Sequence, residues 1–411
     1  GLSLAASGRC NSLQLSGPRR FELAQRFCGL SLLRLATSPE PLPPLARPRV
    51  MLAFSFFDSP LDQGNGAPGV EAVLPRWQLS RQGRHCWLRL QRALGGAITP
   101  RGVAEELWEM ARHLEGLAAL DTELPLSGAS AAMDSPLGEQ AAPWREPYRL
   151  ALQRGLALVE GGELGKLVLA ARQRVDLREP IDPRLLLAHL RRSQPGSCRF
   201  LWQRGSDDAL LGASPERLLT LRQGLLRTDA LAGTRPSGAE ASELLSSVKD
   251  RHEHELVVET ICHVLHQAGL SPHRRRRPRL ARHGGLAHLH TPLTALLRGQ
   301  TPLALAEALH PTPAVAGLPR REAMAWLRSL EPFERGHYAA PIGWIDSQGD
   351  CELRVAIRCG LLRQGCLEIT AGAGLVRGSV PEREEQEVAL KLRVLQDQLL
   401  SAYPSSTRAM V

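Results

Sequence analysis

Gly161-Gly-Glu-Leu-Gly-Lys-Leu-Val-Leu-Ala-Ala-Arg172 joins a glycine-rich break to an unbroken apolar run. Residues 147–160 before it carry helical spacing, so the break ends a helix. Lys166 to Ala171 then reads as a buried strand. Downstream, Phe200-Leu-Trp and Ala209-Leu-Leu-Gly-Ala read as short strands, the second running into the turn Ser214-Pro-Glu-Arg217. Arg217-Leu-Leu-Thr-Leu and Gly224-Leu-Leu-Arg-Thr read as a hairpin. Residues 238–268 predict one long helix and residues 381–400 another. Residues 351–376 predict two or three strands that end in a small-residue turn, Ala371-Gly-Ala-Gly374. Upstream, Trp87-Leu-Arg-Leu alternates like a strand, and Pro100 to Leu120 has apolar residues at helical spacing. Many strands interrupted by a few long helices indicate an α+β fold rather than regular βαβ winding. Residues 127–143, rich in Ser, Gly, Ala and Pro, predict a linker or surface loop.

Composition narrows the class. The chain has 411 residues, 43% of them apolar and 23% charged, which excludes a disordered chain. No stretch approaches the roughly 18 uncharged apolar residues of a membrane span. None of the eight cysteines forms a C-x-x-C pair, so they read as mostly buried, reduced thiols of a cytoplasmic protein. The net charge of +9 invites a nucleic-acid reading, resting on His273-Arg-Arg-Arg-Arg-Pro-Arg279. Aromatic residues are only 4%, poor material for base stacking, so the cluster is read as a solvated loop and no nucleic-acid partner is expected. Residues 1–50, rich in Arg and Pro and poor in acids, are expected to form a poorly ordered extension, with organelle targeting as the second option. Residues 51–146 are expected to form the N-terminal part of the fold, residues 147–398 its core, and residues 399–411 a tail.

Of 51 basic residues only Lys166, Lys249 and Lys391 are lysine. Arginine does not shed its proton in a protein, whereas a desolvated lysine can act as a base. Lys166, at the mouth of an apolar strand, suits that role. Glu216, in the turn between two apolar strands, suits an acid kept protonated by burial. Lys249 and Glu253 share a helix face, as do Glu384, Glu387 and Lys391. One carboxylate from each of two helices matches the demand of Mg²⁺, which takes one or two protein carboxylates, waters and substrate oxygens. Ala230 to Pro236 and Ala371 to Gly374 are small-residue stretches that let backbone amides approach an anion.

In order, Lys166-Leu-Val-Leu-Ala, Ser214-Pro-Glu-Arg-Leu, Leu231-Ala-Gly-Thr-Arg-Pro, Lys249-Asp-Arg-His-Glu-His, His288-Leu-His-Thr, His310-Pro-Thr-Pro-Ala-Val, Ala356-Ile-Arg and Ala371-Gly-Ala-Gly resemble the chorismate-utilising enzymes, and most closely their isochorismate synthases. The resemblance covers about residues 147–398. It implies an α+β fold of layered antiparallel sheets flanked by helices around a Mg²⁺-dependent chorismate site. It implies Lys166 as the base that activates water at ring C2, and Glu216 as the acid that protonates the departing C4 hydroxyl. Glu253 and Glu387 are implied as magnesium ligands, with Glu384 close by. Gly233, Thr234, His288, Arg358, Ala373, Gly374 and Lys391 are implied to hold the substrate. Anthranilate synthases lack the lysine base and use ammonia from a glutaminase partner, so no glutaminase subunit is expected; a monomer or weak homo-oligomer is. Salicylate synthases, which go on to eliminate pyruvate, are the alternative. The product could feed quinone, siderophore or salicylate synthesis. The chain departs from the family pattern at Ser237, at Glu385, and at His337 and Ala340, which alter an aromatic–glycine turn before Pro341.

Overall fold

The computed structural model describes residues 1–36, 41–60, 66–95, 98–119, 143–177, 180–205 and 207–402. The expected linker at 127–143 and the tail beyond 402 fall outside these residues, apart from Pro143.

Among the described residues three antiparallel sheets organise the chain, which is the expected α+β arrangement of layered sheets and helices. The six-stranded sheet runs in the order Gly317–Leu318, Lys166–Asp176, Cys366–Leu375, Cys359–Arg363, Asp208–Ser214 and Cys198–Gln203. Its long central pair keeps one register from Leu167 opposite Leu375 to Asp176 opposite Cys366. The ten-stranded sheet runs from His273–Arg274 through Leu286–Leu296, Leu225–Pro236, Arg217–Arg222, Cys351–Val355, Pro341–Asp346, Arg49–Phe54 and Val70–Leu74 to Asn11–Leu15. Arg279–His283 also pairs with Leu286–Leu296. Leu2–Ser7, Trp77–Gln82 and His85–Leu90 form the small third sheet. The ten-stranded sheet therefore takes strands from both sides of residue 147.

Helices Arg145–Glu160, Pro183–Ser193 and Pro381–Ala402 pack on the six-stranded sheet, and Val248–Gln267 packs on Leu225–Pro236. One continuous apolar core runs through these layers, with Leu52, Phe54, Leu167, Leu169, Val257 and Leu392 among its buried members.

Three expectations need correction. First, residues 1–36 are no loose extension. They form two strands and the helix Arg20–Leu33. Arg20 is buried, and its guanidinium donates to the main-chain oxygens of Ser55 and Phe56 at 2.9 and 3.2 Å and to that of Phe57. Phe21 stacks on Phe54 with ring centroids 4.3 Å apart. An arginine that satisfies buried carbonyls looks, in sequence, like one that faces water. Second, the long helix at 238–268 is broken. A short turn at 239–246 ends at Ser247, whose extended backbone (ψ 118°) starts a new helix and whose hydroxyl caps it by accepting from the Asp250 amide at 3.2 Å. Third, Ala371 to Gly374 are not a turn but lie inside the strand Cys366–Leu375.

If the N-terminal helix belongs to the core, truncating its buried ring must leave a cavity. Phe21→Ala is expected to lower stability by about 3–5 kcal/mol in urea unfolding. A loss below about 1 kcal/mol would restore the picture of a loose extension.

Candidate active site

The cleft forms where the ends of the two large sheets meet helices Val248–Gln267 and Pro381–Ala402. Its first wall starts at the glycine break. Gly162, at φ +79°, turns the chain out of the preceding helix, and the Gly165 amide donates to Leu318 O at 2.8 Å. Lys166 then enters the strand with its side chain fully buried, and Nζ lies 2.9 Å from Glu253 Oε1. The strand opposite must leave room for that pair. A Cβ at Gly374 would stand 2.4 Å from Glu253 Oε1 and 3.0 Å from Lys166 Cε. A Cβ at Gly372 would stand 2.8 Å from Leu169 O and 3.3 Å from the Tyr338 hydroxyl. The alternating glycines thus serve close approach within a strand, not a bend.

The other two lysines repeat the pattern. Lys249 Nζ lies 2.5 Å from Glu384 Oε1, and Lys391 Nζ lies 2.6 Å from Glu387 Oε1. Lys391 also donates to Gly372 O at 2.7 Å, just past Thr370, where pairing with Cys359–Arg363 stops. Every lysine of the chain is therefore paired with a different one of the three glutamates singled out as metal ligands. The carboxylates feel one another. Burial, then the neighbouring Glu387 charge, pushes the Glu384 carboxyl up to about 7, against the pull of Lys249. Burial also works to raise Glu387, but Lys391, helped by Lys249 and Thr234, holds it below the usual carboxylate range.

Glu216 stands at the opposite side. Ser214 Oγ donates to Val355 O at 2.6 Å and accepts from the Glu216 amide at 3.2 Å, which pins the turn. Burial pushes the Glu216 carboxyl up to about 8, with Asp229 adding and Lys166, Lys391 and Arg358 opposing. Glu216 is thus protonated at neutral pH.

A third group gathers around the Arg358 guanidinium. Gly233, at φ +69°, sits in a bulge of Leu225–Pro236, where a side chain would be strained. Its carbonyl accepts from His288 Nδ1 at 2.9 Å, and Thr234 Oγ1 lies 3.3 Å from the same nitrogen. A guanidinium can only donate, so His288 Nε2 accepts from Arg358 Nη2 at 3.2 Å, and the ring is neutral. Burial, then the Arg358 and Lys391 charges, holds the His288 pKa well below its ordinary value, in agreement. Arg358 adopts φ +52°, a costly conformation for a side-chain-bearing residue. Its Nη1 is buried without a hydrogen-bond partner.

Of the twelve residues expected from sequence, Glu216, Gly233, Thr234, Glu253, His288, Arg358, Gly374, Glu387 and Lys391 line one cleft. Lys166 reaches it through Glu253. Glu384 stands behind the lining, on Lys249. Ala373 does not line the cleft: strand alternation turns its side chain into the core, between the two glycines. Tyr338, Ile357 and Val315 line the cleft and were missed. Tyr338 sits in the His337–Ala340 segment, where the departures from the family pattern hid it. Among the described residues, no three His, Cys, Asp or Glu side chains converge tightly enough to hold a metal alone. No helix among them is long and apolar enough to cross a membrane.

The chorismate binding enzyme family model matches residues 1–400. The salicylate biosynthesis isochorismate synthase of Pseudomonas aeruginosa is 40% identical over 270 residues, covering 64% of this chain and 56% of that protein's own length. The isochorismate synthase EntC of Escherichia coli K12 is 35% identical over 264 residues, covering 62% of this chain and 68% of EntC. The solved structure of MenF, the menaquinone-specific isochorismate synthase from Escherichia coli, superposes with a TM-score of 0.75 at 28% identity, covering 96% of this chain and 86% of that one.

The protonation of Glu216 has a consequence for stability. Its carboxyl is raised from 4.5 to about 8, so between those values the folded chain holds a proton that the unfolded chain has lost. Stability from this group is full below pH 4.5 and declines as pH rises towards 8. Glu216→Gln is expected to flatten the fall in Tm between pH 6 and 9. An unchanged slope would mean that Glu216 is ionised at neutral pH.

Proposed function

Because this chain belongs to the chorismate-binding enzyme family, we propose that it is an isochorismate synthase, an isomerase that converts chorismate to isochorismate with water as nucleophile. The observation that carries this reading is the fully buried Lys166, which reaches the cleft through Glu253 at 2.9 Å, together with Glu216 in the cleft lining, whose carboxyl burial pushes up to about 8. Lys166 accepts a proton from water as the water oxygen bonds to ring C2. The ring double bonds shift, the C4–O bond breaks, and Glu216 gives its proton to the departing hydroxyl, which leaves as water. One water enters and one leaves, so the reaction is an isomerisation. Arg358 Nη1, which has no protein partner, takes a substrate carboxylate, and His288 fixes the angle of that guanidinium. Lys391 and the amides around Gly233 and Gly374 hold the remaining anionic and hydroxyl oxygens.

Glu253 and Glu387 suit Mg²⁺. They are hard oxygen donors from two helices on one cleft, and Glu384 beside them is raised to about 7 by burial first and then by the Glu387 charge. Bound there, the ion would supply positive charge opposite a substrate carboxylate. Lys249 keeps Glu384 out of the lining. No glutaminase subunit is needed for a water nucleophile. The eight unbridged cysteines support a cytoplasmic setting, in which thiols stay reduced.

Reaction in ¹⁸O-water is expected to label the C2 hydroxyl; unlabelled product would overturn the reading. Lys166→Arg keeps the charge but removes the base, and is expected to cost about 10²–10⁴-fold in kcat. Retention of a substantial share of turnover would make Lys166 an electrostatic anchor only. Glu387→Gln is expected to weaken Mg²⁺ binding in calorimetry by about tenfold or more, whereas unchanged binding would remove Glu387 from the metal site.

A further inference from the structure

A second cavity lies directly behind the first. Arg358 faces the first cleft, and the next residue, Cys359, lines the second. Tyr338 lines both cavities, while its neighbour His337 lines only the second. The second cavity also holds Arg204, with Leu210 and Leu361 as an apolar wall.

The device that aims Arg358 is repeated here. His337 is buried, and its Nδ1 donates to Phe54 O at 2.7 Å. Its Nε2 therefore accepts from Arg204 Nη1, at 3.3 Å. As in the first cleft, a neutral imidazole anchored on a main-chain carbonyl orients one guanidinium nitrogen. As there too, the other terminal nitrogen, Arg204 Nη2, is buried without a hydrogen-bond partner.

The surrounding charges define what could bind. Arg204 Nε lies 3.3 Å from Asp208 Oδ1, but Asp208 is shared with Arg363 at 3.1 Å. Arg204 Nη1 lies 3.6 Å from Glu71 Oε2, and Glu71 also accepts from Trp202 Nε1 at 2.8 Å and from Gln14. Neither carboxylate turns to Nη2. Arg172, Arg335 and Arg363 line the same cavity beside Glu334 and Glu368, but Arg172 is engaged with Glu368 at 3.2 Å, Arg335 with Glu331 and Arg363 with Asp208 at 3.1 Å, which leaves Arg204 Nη2 as the guanidinium nitrogen still to be matched by one anionic group. A single negative charge on a small apolar body fits both the unpartnered donor and the leucine wall.

We propose that this second cavity binds a small monocarboxylate, gripped by Arg204 Nη2 and set by His337. The site is distinct from the substrate cleft, and it does not depend on which molecule that cleft takes. His337 stands where the chain departs from the family pattern, so the device belongs to this chain's own sequence.

Benzoate is the probe, titrated into the full chain by calorimetry, with benzamide as its uncharged counterpart. Wild type and Arg358→Gln are expected to bind one benzoate saturably. Arg204→Gln is expected to bind it about tenfold or more weakly, the scale of a lost charged hydrogen bond, and benzamide should bind wild type as weakly. Leu361→Trp fills the cavity while keeping Arg204, Asp208 and Glu71, and is expected to abolish binding; it decides the matter if Arg204→Gln does not fold. No saturable binding to wild type, binding indifferent to both cavity variants, or binding lost only in Arg358→Gln would overturn the proposal.

Discussion

A lysine ammonium with no exposed surface needs a carboxylate beside it, because an uncompensated buried charge costs several kcal/mol. The 2.9 Å contact between Lys166 and Glu253 meets that need, and much of the architecture is arranged around it. It ties the first residue of a central strand to the helix Val248–Gln267. It requires glycine at 374, since a methyl group there would overlap the Glu253 carboxylate. It also fixes where that helix must begin, and the Ser247 cap is the local device that starts it. The same logic recurs at Lys249–Glu384 and Lys391–Glu387, so three lysines are each matched by a glutamate at or behind the cleft.

Two orientation problems are solved by one arrangement. Arg358 and Arg204 are each held by a neutral histidine whose other nitrogen is fixed to a main-chain carbonyl, Gly233 in one case and Phe54 in the other. A guanidinium fixed in this way loses little further freedom when it meets a carboxylate. The two arginines line cavities that lie back to back across Tyr338. Occupation of either cavity therefore bears on the same ring.

The catalytic core was legible because its signals are chemical rather than positional. Lysine stood out on an arginine background, and glutamates at spacings of three and four announced shared helix faces. The antiparallel hairpins and both long site helices could be read from periodicity and turn residues. Other features were not legible, each for a physical reason. Arg20 looks like any solvated or targeting arginine until the carbonyls of Ser55 and Phe56 are seen around it. Alternating Ala and Gly are equally consistent with a turn and with a strand pressed against its neighbours. The break at Ser247 is a single capping residue inside a long polar-apolar pattern. Tyr338 carries no motif of its own, and the segment around it was read only for its departures. The second cavity depends on contacts between Arg204 and His337, 133 positions apart, which no local pattern reports.

The central claim is that this cleft directs water, and not ammonia, onto chorismate and stops at the first product. It is tested most directly by separating the products of chorismate incubated with the purified chain and Mg²⁺, with no ammonia present. The account predicts isochorismate, accumulating to equilibrium with chorismate and without pyruvate. Salicylate with pyruvate, or turnover that begins only when ammonia is added, would contradict it.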